Sequence, residues 1–175
     1  MLKYQDGMAA AFDVLYTRHK GGLYRYILRH VNHQSEIANE LFQDVWMKLV
    51  NARKLYQANA RFSTYLYHIA HNRIIDYWRQ QKHQKQRVEY EDTADESAAG
   101  PSGRLYQKQT QLQIKQAISQ LPEEQRNAIL LKEEAALSLA EIAEVTGVTR
   151  ETVKSRLRYA VKRLQGLLHP LRPVP

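Results

Sequence analysis

Arg150, Lys154, Ser155, Arg158 and Tyr159 recur at helical spacing in a stretch with six basic residues and one acidic residue between Arg150 and Arg163. Guanidinium and ammonium groups so placed donate to phosphate oxygens and to the acceptor edges of purines. A second set runs from Phe62 to Arg79, where Phe62, Tyr65, Tyr67, Tyr77 and Trp78 alternate with His68, His71, Asn72, Arg73 and Arg79. Aromatic rings beside cations are what unpaired bases stack on, at about 1 to 3 kcal/mol per base. In a third set, Glu40, Gln43, Asp44 and Met47 share one helix face by their i, i+3, i+4, i+7 spacing. A polar face of this kind is ordinarily solvated, but Trp46 beside it is a residue type enriched at protein interfaces.

The chemistry of catalysis is not visible. There is no cysteine, no nucleophile–base constellation and no glycine-rich phosphate loop. His30 and His33, like His68 and His71, have i, i+3 spacing that can seed a zinc site, yet no acidic residue completes a HExxH-like pattern. No cofactor and no metal site is therefore expected, and histidines on an aromatic and basic helix face more often stand at the surface or meet phosphates.

Helices must position these groups. Apolar residues recur at Phe12, Leu15, Tyr16, Leu23, Tyr26 and Ile27 with helical period, while strand signals are nearly absent, so an all-α fold is expected. Gly21-Gly22 interrupts that first helix, and at about 1 kcal/mol per glycine a kink or break is expected there. A second helix is predicted from Ser35 as its N-cap to about Val50, with Ile37, Leu41, Val45 and Leu49 inward. A third begins near Phe62 and passes Trp78, with Leu66, Tyr67, Ile69 and Ala70 on its core side.

Near the C-terminus, Ser138 with Glu141 three residues on reads as a capping box, and Leu137 with Ile142 as a hydrophobic staple. That helix is predicted to end at Gly147, a residue that accepts a left-handed cap. Thr149 can then cap a second helix from Arg150 to Leu164, with Val153, Leu157, Val161 and Leu164 as the buried stripe. Two such helices joined by a short turn make a helix-turn-helix, whose second helix enters a major groove.

The chain has 175 residues and a formal net charge of +8, which favours polyanionic partners, nucleic acid first. Residues 1–81 hold 11 basic and 6 acidic side chains, residues 82–107 hold 4 and 5, and residues 108–175 hold 11 and 7. The middle segment, polar, acidic at its centre and closed by Gly-Pro-Ser-Gly, reads as a flexible linker between two small helical domains. A start without an unbroken apolar core, and no apolar run of membrane length, point to a cytoplasmic chain without membrane insertion.

The order of these motifs resembles the extracytoplasmic-function sigma factors of bacterial RNA polymerase. Glu40-Leu-Phe-Gln43-Asp44-Val-Trp46-Met47 resembles that family's polymerase-docking helix. Phe62-Ser-Thr-Tyr65 through Asn72, with Asp76 and Arg79, resembles its promoter-melting helix. Leu121-Pro122-Glu-Glu-Gln-Arg126, Leu137-Ser138, Glu141-Ile142-Ala143 and Thr152-Val153-Lys154-Ser155-Arg156-Leu157 resemble its upstream reader. The resemblance implies a factor that binds core RNA polymerase and directs initiation at promoter DNA, both duplex and single-stranded, without being an enzyme. An anti-sigma factor is a candidate further partner.

It further implies that residues 1–81 read and melt the minus-10 element through Lys48, Ala52, Tyr56, Phe62, Tyr65, Asn72, Arg73, Asp76 and Arg79. Of these, Lys48, Ala52, Tyr56 and Asn72 would surround a flipped base under the loop from Leu55 to Arg61. Residues 108–175 would place Arg150, Lys154, Ser155, Arg158 and Tyr159 at the minus-35 element. Glu40, Gln43, Asp44, Trp46 and Met47 would meet the polymerase, and the acidic linker, residues 82–107, would lie in its RNA exit path. Tyr65 stands where the family usually has Trp, and Tyr159 and Val161 replace arginines. The alternative is a helix-turn-helix regulator that binds duplex DNA without polymerase.

Overall fold

The computed structural model describes residues 1–87 and 105–168, with side chains for 1–82 and 112–168. Among the described residues there are eight α-helices, one short 3-10 turn and no strand: α1 Leu2–Gln5, α2 Ala10–His30, α3 Ser35–Asn51, the turn Arg53–Leu55, α4 Phe62–Arg87, α5 Leu105–Ser119, α6 Glu123–Glu134, α7 Leu139–Thr146 and α8 Arg150–Leu168. The acidic centre of the expected linker lies outside the described residues, and α4 continues to Arg87, inside the segment assigned to it.

Helices α2, α3 and α4 bury the faces their periodicity predicts. Leu23, Tyr26 and Ile27 of α2 meet Leu41, Val45 and Leu49 of α3 and Leu66, Tyr67 and Ala70 of α4 in a common core. The expected break at Gly21-Gly22 does not occur, because α2 runs unbroken from Ala10 to His30. Gly22 has a packing reason instead. A Cβ there would stand 2.7 Å from the backbone oxygen of Glu134 and 2.9 Å from the Tyr67 hydroxyl, so only glycine admits the close approach of α6.

The second half forms around Leu130, Leu131, Leu137, Ile142, Val145 and Val153, all buried. The backbone NH of Glu141 donates to Ser138 Oγ at 3.3 Å, and the Ser138 NH donates to Glu141 Oε2 at 2.8 Å. Leu137 and Ile142 of the staple are fully buried. Gly147 caps α7 at φ 67°, and the Thr152 NH donates to Thr149 Oγ1 at 3.2 Å to cap α8. The predicted stripe of α8 needs one correction. Ala160 is buried, whereas Val161 is 44% exposed, because a 3.6-residue period returns seven residues after Val153 and has rotated past the core by the eighth.

The halves pack on each other. The buried side chains form one cluster that runs from α2, α3 and α4 into α6, α7 and α8, with α2 facing α6 and α4 facing α7. Polar groups register the seam: Tyr26 Oη donates to Asn127 Oδ1 at 2.8 Å, and Arg25 and Arg29 each meet Glu134 at 2.7 Å.

Candidate nucleic-acid and polymerase interface

On α8 the residues expected to read DNA face outward. Arg150, Lys154, Arg158 and Tyr159 are exposed, and Ser155 is half-buried. The Arg158 guanidinium lies over the Tyr159 ring, 5.1 Å from its centroid, which braces a long side chain before any ligand arrives. Lys154 has only a loose partner in Glu151 at 3.9 Å, so its charge is available to a phosphate. Val153 and Ala160 anchor the opposite side of the helix.

The α4 region is more closed. Tyr56 is buried, and its ring meets Tyr65 edge-on at 5.0 Å. Burial raises the pKa of both phenols above the usual tyrosine value, helped at Tyr56 by its neighbour Tyr65, so both are neutral hydrogen-bond donors at ordinary pH. Beneath the Leu55–Arg61 loop is a cavity of about 320 Å³ whose walls include Gln57, Asn59, Thr64, Tyr65 and His68. None of Lys48, Ala52, Tyr56 and Asn72 lines it. Tyr56 instead supports Tyr65 from behind, and Asn72 approaches His68 at 3.5 Å. Glu144 of α7 lines the cavity from the other half of the chain, a feature no local pattern announces.

Phe62 packs half-buried against His19 at 5.2 Å, and Asp76 and Arg79 pair loosely with each other at 3.5 Å. Arg73 does not stand free. Its Nε donates to Asp44 Oδ2 at 2.8 Å and its Nη2 approaches Glu40 at 3.8 Å, so α4 is tied to the α3 carboxylates.

On α3, Glu40, Gln43 and Met47 are exposed and Asp44 is half-buried, forming the outward face that their spacing predicts. Trp46 is a correction. It is 5% exposed, in a cluster with Phe12, Tyr16 and Phe42, so its ring supports the face from below and offers no surface of its own. The aromatic-rich start of α2 supplies that shelter.

Sequence reasoning missed Glu141's second role. Its Oε1 accepts from Thr64 at 3.2 Å and lies 3.5 Å from Arg61. Burial alone would raise its pKa, but hydrogen bonds from Ser138 and Thr64 and the Arg61 charge win, holding the carboxyl below the usual range.

Residues 15–84 match Sigma-70 region 2 and residues 111–164 match Sigma-70, region 4. The chain is 31% identical over 159 residues to the ECF RNA polymerase sigma factor SigM of Mycobacterium tuberculosis, covering 90% of this chain and 77% of that one. The chain belongs to the ECF RNA polymerase sigma factors. It is also 27% identical to the RNA polymerase sigma factor CarQ of Myxococcus xanthus, covering 98% of this chain and 97% of that one. Among solved structures it is similar to the sigma factor RpoE in complex with the anti-sigma factor NepR from Bartonella quintana. That likeness has a TM-score of 0.74 at 25% identity, over 93% of this chain and 99% of that one.

As a sigma factor the chain is a transcription initiation factor that binds core RNA polymerase and promoter DNA and directs initiation. A polymerase-independent regulator is not favoured. No helix among the described residues is long and apolar enough to cross a membrane.

Proposed function

We propose a division of this activity between the two halves. Residues 1–81 read and melt the minus-10 element through the α4 face of Phe62, Tyr65, Asn72, Arg73, Asp76 and Arg79, while Lys48 and Ala52 flank the Leu55–Arg61 loop. Residues 108–175 read the minus-35 element with Arg150, Lys154, Ser155, Arg158 and Tyr159. Glu40, Gln43, Asp44 and Met47 meet the polymerase, residues 82–107 link the halves, and the factor acts in the cytoplasm without catalysis of its own. Because SigM, CarQ and RpoE are sigma factors, and RpoE's structure holds an anti-sigma factor, an anti-sigma factor is proposed as a partner here also.

The observation that carries the reading is the exposed, basic and aromatic outer face of α8 on a helix whose inner face is locked by Val153 and Ala160. Such a helix presents donors to base edges without unfolding. For the first half, the loop cavity beside Tyr65 supports base capture, because a flipped base needs stacking and edge contacts to offset its unstacking. The deciding experiment is in vitro transcription with purified core polymerase on a genomic library, with start sites mapped. Start sites that share two elements at fixed spacing support the division, and starts that share only one element would remove it.

A further inference from the structure

Between the two halves lies a cavity of about 310 Å³ with His30 and His71 on one side and Asn127, Thr146 and Arg156 on the other. Asn127 is 5% exposed and inserts from α6 into the first half. Its Oδ1 accepts from the Tyr26 hydroxyl at 2.8 Å, and its Nδ2 lies 3.1 Å from His71 Nδ1. An amide NH₂ has only protons to offer, so His71 Nδ1 must present a lone pair and carry no proton. His30 is 2% exposed, and neither ring nitrogen has a hydrogen-bond partner, although the nearby Asn127 amide slightly favours its charged form.

We propose that this seam is a proton-sensitive latch: Asn127, seated among Tyr26, His30 and His71, holds the halves closed, and protonation of the two histidines opens them.

Three observations support it. The first is geometric, and it rests on the division of promoter elements proposed above. Elements centred roughly 25 base pairs apart are separated by about 85 Å at 3.4 Å per step. A packed body of this many residues has a radius of gyration of about 15 Å. The closed form therefore cannot contact both elements, and α7 also places Glu141 on Thr64 and Glu144 over the loop cavity. The seam must open for promoter reading.

The second is electrostatic. His30 faces Arg126 and Asn127 from α6 and His71 from α4, beside Tyr26 on its own helix, while His71 faces Arg156 from α8 and His68 on its own helix. Glu123 and Glu124 line the same cavity from α6, but both are exposed, and neither outweighs the cations. Burial first, then Arg126 and His71, lowers the His30 pKa to about 3. Burial first, then His68 and Arg156, lowers the His71 pKa to about 4.

The third is the sign of the linkage. A histidine whose pKa is depressed in the closed form favours closure above its ordinary value of 6.5. That preference fades as pH falls from 6.5 toward the closed-state values. Separation of α6 from α2 returns His30 to solvent, so the open form takes up the protons. Between about pH 7.5 and about pH 5.5 the open-to-closed ratio rises about tenfold for each histidine, and about a hundredfold for both.

The test uses the full chain without polymerase or DNA, so its failure is separate from any failure of the promoter assignment. The sequence has no cysteine, so Glu36→Cys and Gln165→Cys, both at exposed positions on opposite halves, accept a donor–acceptor dye pair. Energy transfer is expected to be high at about pH 7.5 and to fall by about pH 5.5, with far-UV circular dichroism unchanged. His71→Gln, whose side-chain carbonyl still accepts from Asn127, should reduce the change in the ratio to about tenfold. His30→Gln with His71→Gln should abolish it. Transfer that stays constant across this range, or a response undiminished by His71→Gln, overturns the latch. Because His71→Gln is conservative and half-exposed, it decides the matter even where the double variant fails to fold.

Discussion

Arg73 and Asp44 meet at 2.7 Å between α4 and α3, with Arg73 the less exposed partner. A residue proposed to act at DNA and one proposed to act at polymerase are thus a single electrostatic unit, so their substitutions should not be independent. Gln43→Ala with Asp44→Ala is expected to weaken core polymerase binding while circular dichroism stays unchanged. Arg73→Ala and Asp44→Ala, made singly and together, should show a coupling of about 1 kcal/mol in urea unfolding, as for a part-exposed pair. Additive effects would show that the pair is incidental.

Tyr56 and Leu55 are neighbours with opposite roles. Leu55 is 82% exposed at the loop surface, whereas Tyr56 is 7% exposed against Tyr65. Tyr56→Ala should cost about 3 kcal/mol of stability, as for other buried aromatics, and Leu55→Ala should cost almost nothing. In transcription from a promoter library randomised at the minus-10 element, exchange of the loop surface from Leu55 to Ala60 with Tyr56 retained should change base preference. An unchanged preference would move that specificity to the face of Asn72, Arg73 and Asp76.

The helix-turn-helix was legible because its signals are local. Ser138, Glu141, Gly147 and Thr149 each act within three or four residues, and each occupies the capping position its chemistry favours. The seam was not legible, because its partners are far apart in sequence: Tyr26 and Asn127 are separated by 101 positions. Gly22 reads locally as a helix break and His30 as half of a zinc pair, and only the approach of α6 gives either its meaning. Trp46 shows the same limit on a smaller scale, since two of the three rings around it, Phe12 and Tyr16, come from another helix.

Glu141 serves both the α7 cap and the seam, so its titration should register in stability. Its carboxyl is held below the ordinary 4.5 by hydrogen bonds from Ser138 and Thr64 and by Arg61, against the opposing effect of burial. A depressed acid stabilises the fold above its ordinary pKa and loses that contribution as pH falls through its folded value. The loss of urea stability between about pH 6 and about pH 3.5 should therefore be smaller in Glu141→Gln than in the natural chain. Ser138→Ala should cost about 1 kcal/mol at neutral pH. Equal acid losses with and without the carboxylate would remove Glu141 from this balance.

Arg158 is braced on Tyr159 and otherwise turned to solvent. Arg158→Ala should reduce use of promoters through the minus-35 element by about 1 to 3 kcal/mol if the guanidinium spans a base edge. A phosphate contact would instead weaken binding to all sequences alike and flatten the salt dependence. Initiation from matched and mutated minus-35 promoters at two salt concentrations separates these outcomes.

Gly22→Ala sets two effects of opposite sign against each other. In a helix interior, alanine is favoured over glycine by about 1 kcal/mol, so α2 itself should gain. Across the seam the added methyl would lie 2.7 Å from the Glu134 carbonyl oxygen, and backbone in α6 cannot yield as a flexible side chain can. Relief comes most cheaply by separation of α6 from α2, which also releases the Glu134 contacts of Arg25 and Arg29. The variant is therefore expected to keep its helical content at neutral pH while its radius of gyration by small-angle scattering rises above that of the natural chain. Its dependence on acid should shrink, because a seam already open leaves His30 and His71 little to lose. An unchanged radius with raised thermal stability would mean that the halves accommodate the methyl and that the close approach at Gly22 is not what limits opening.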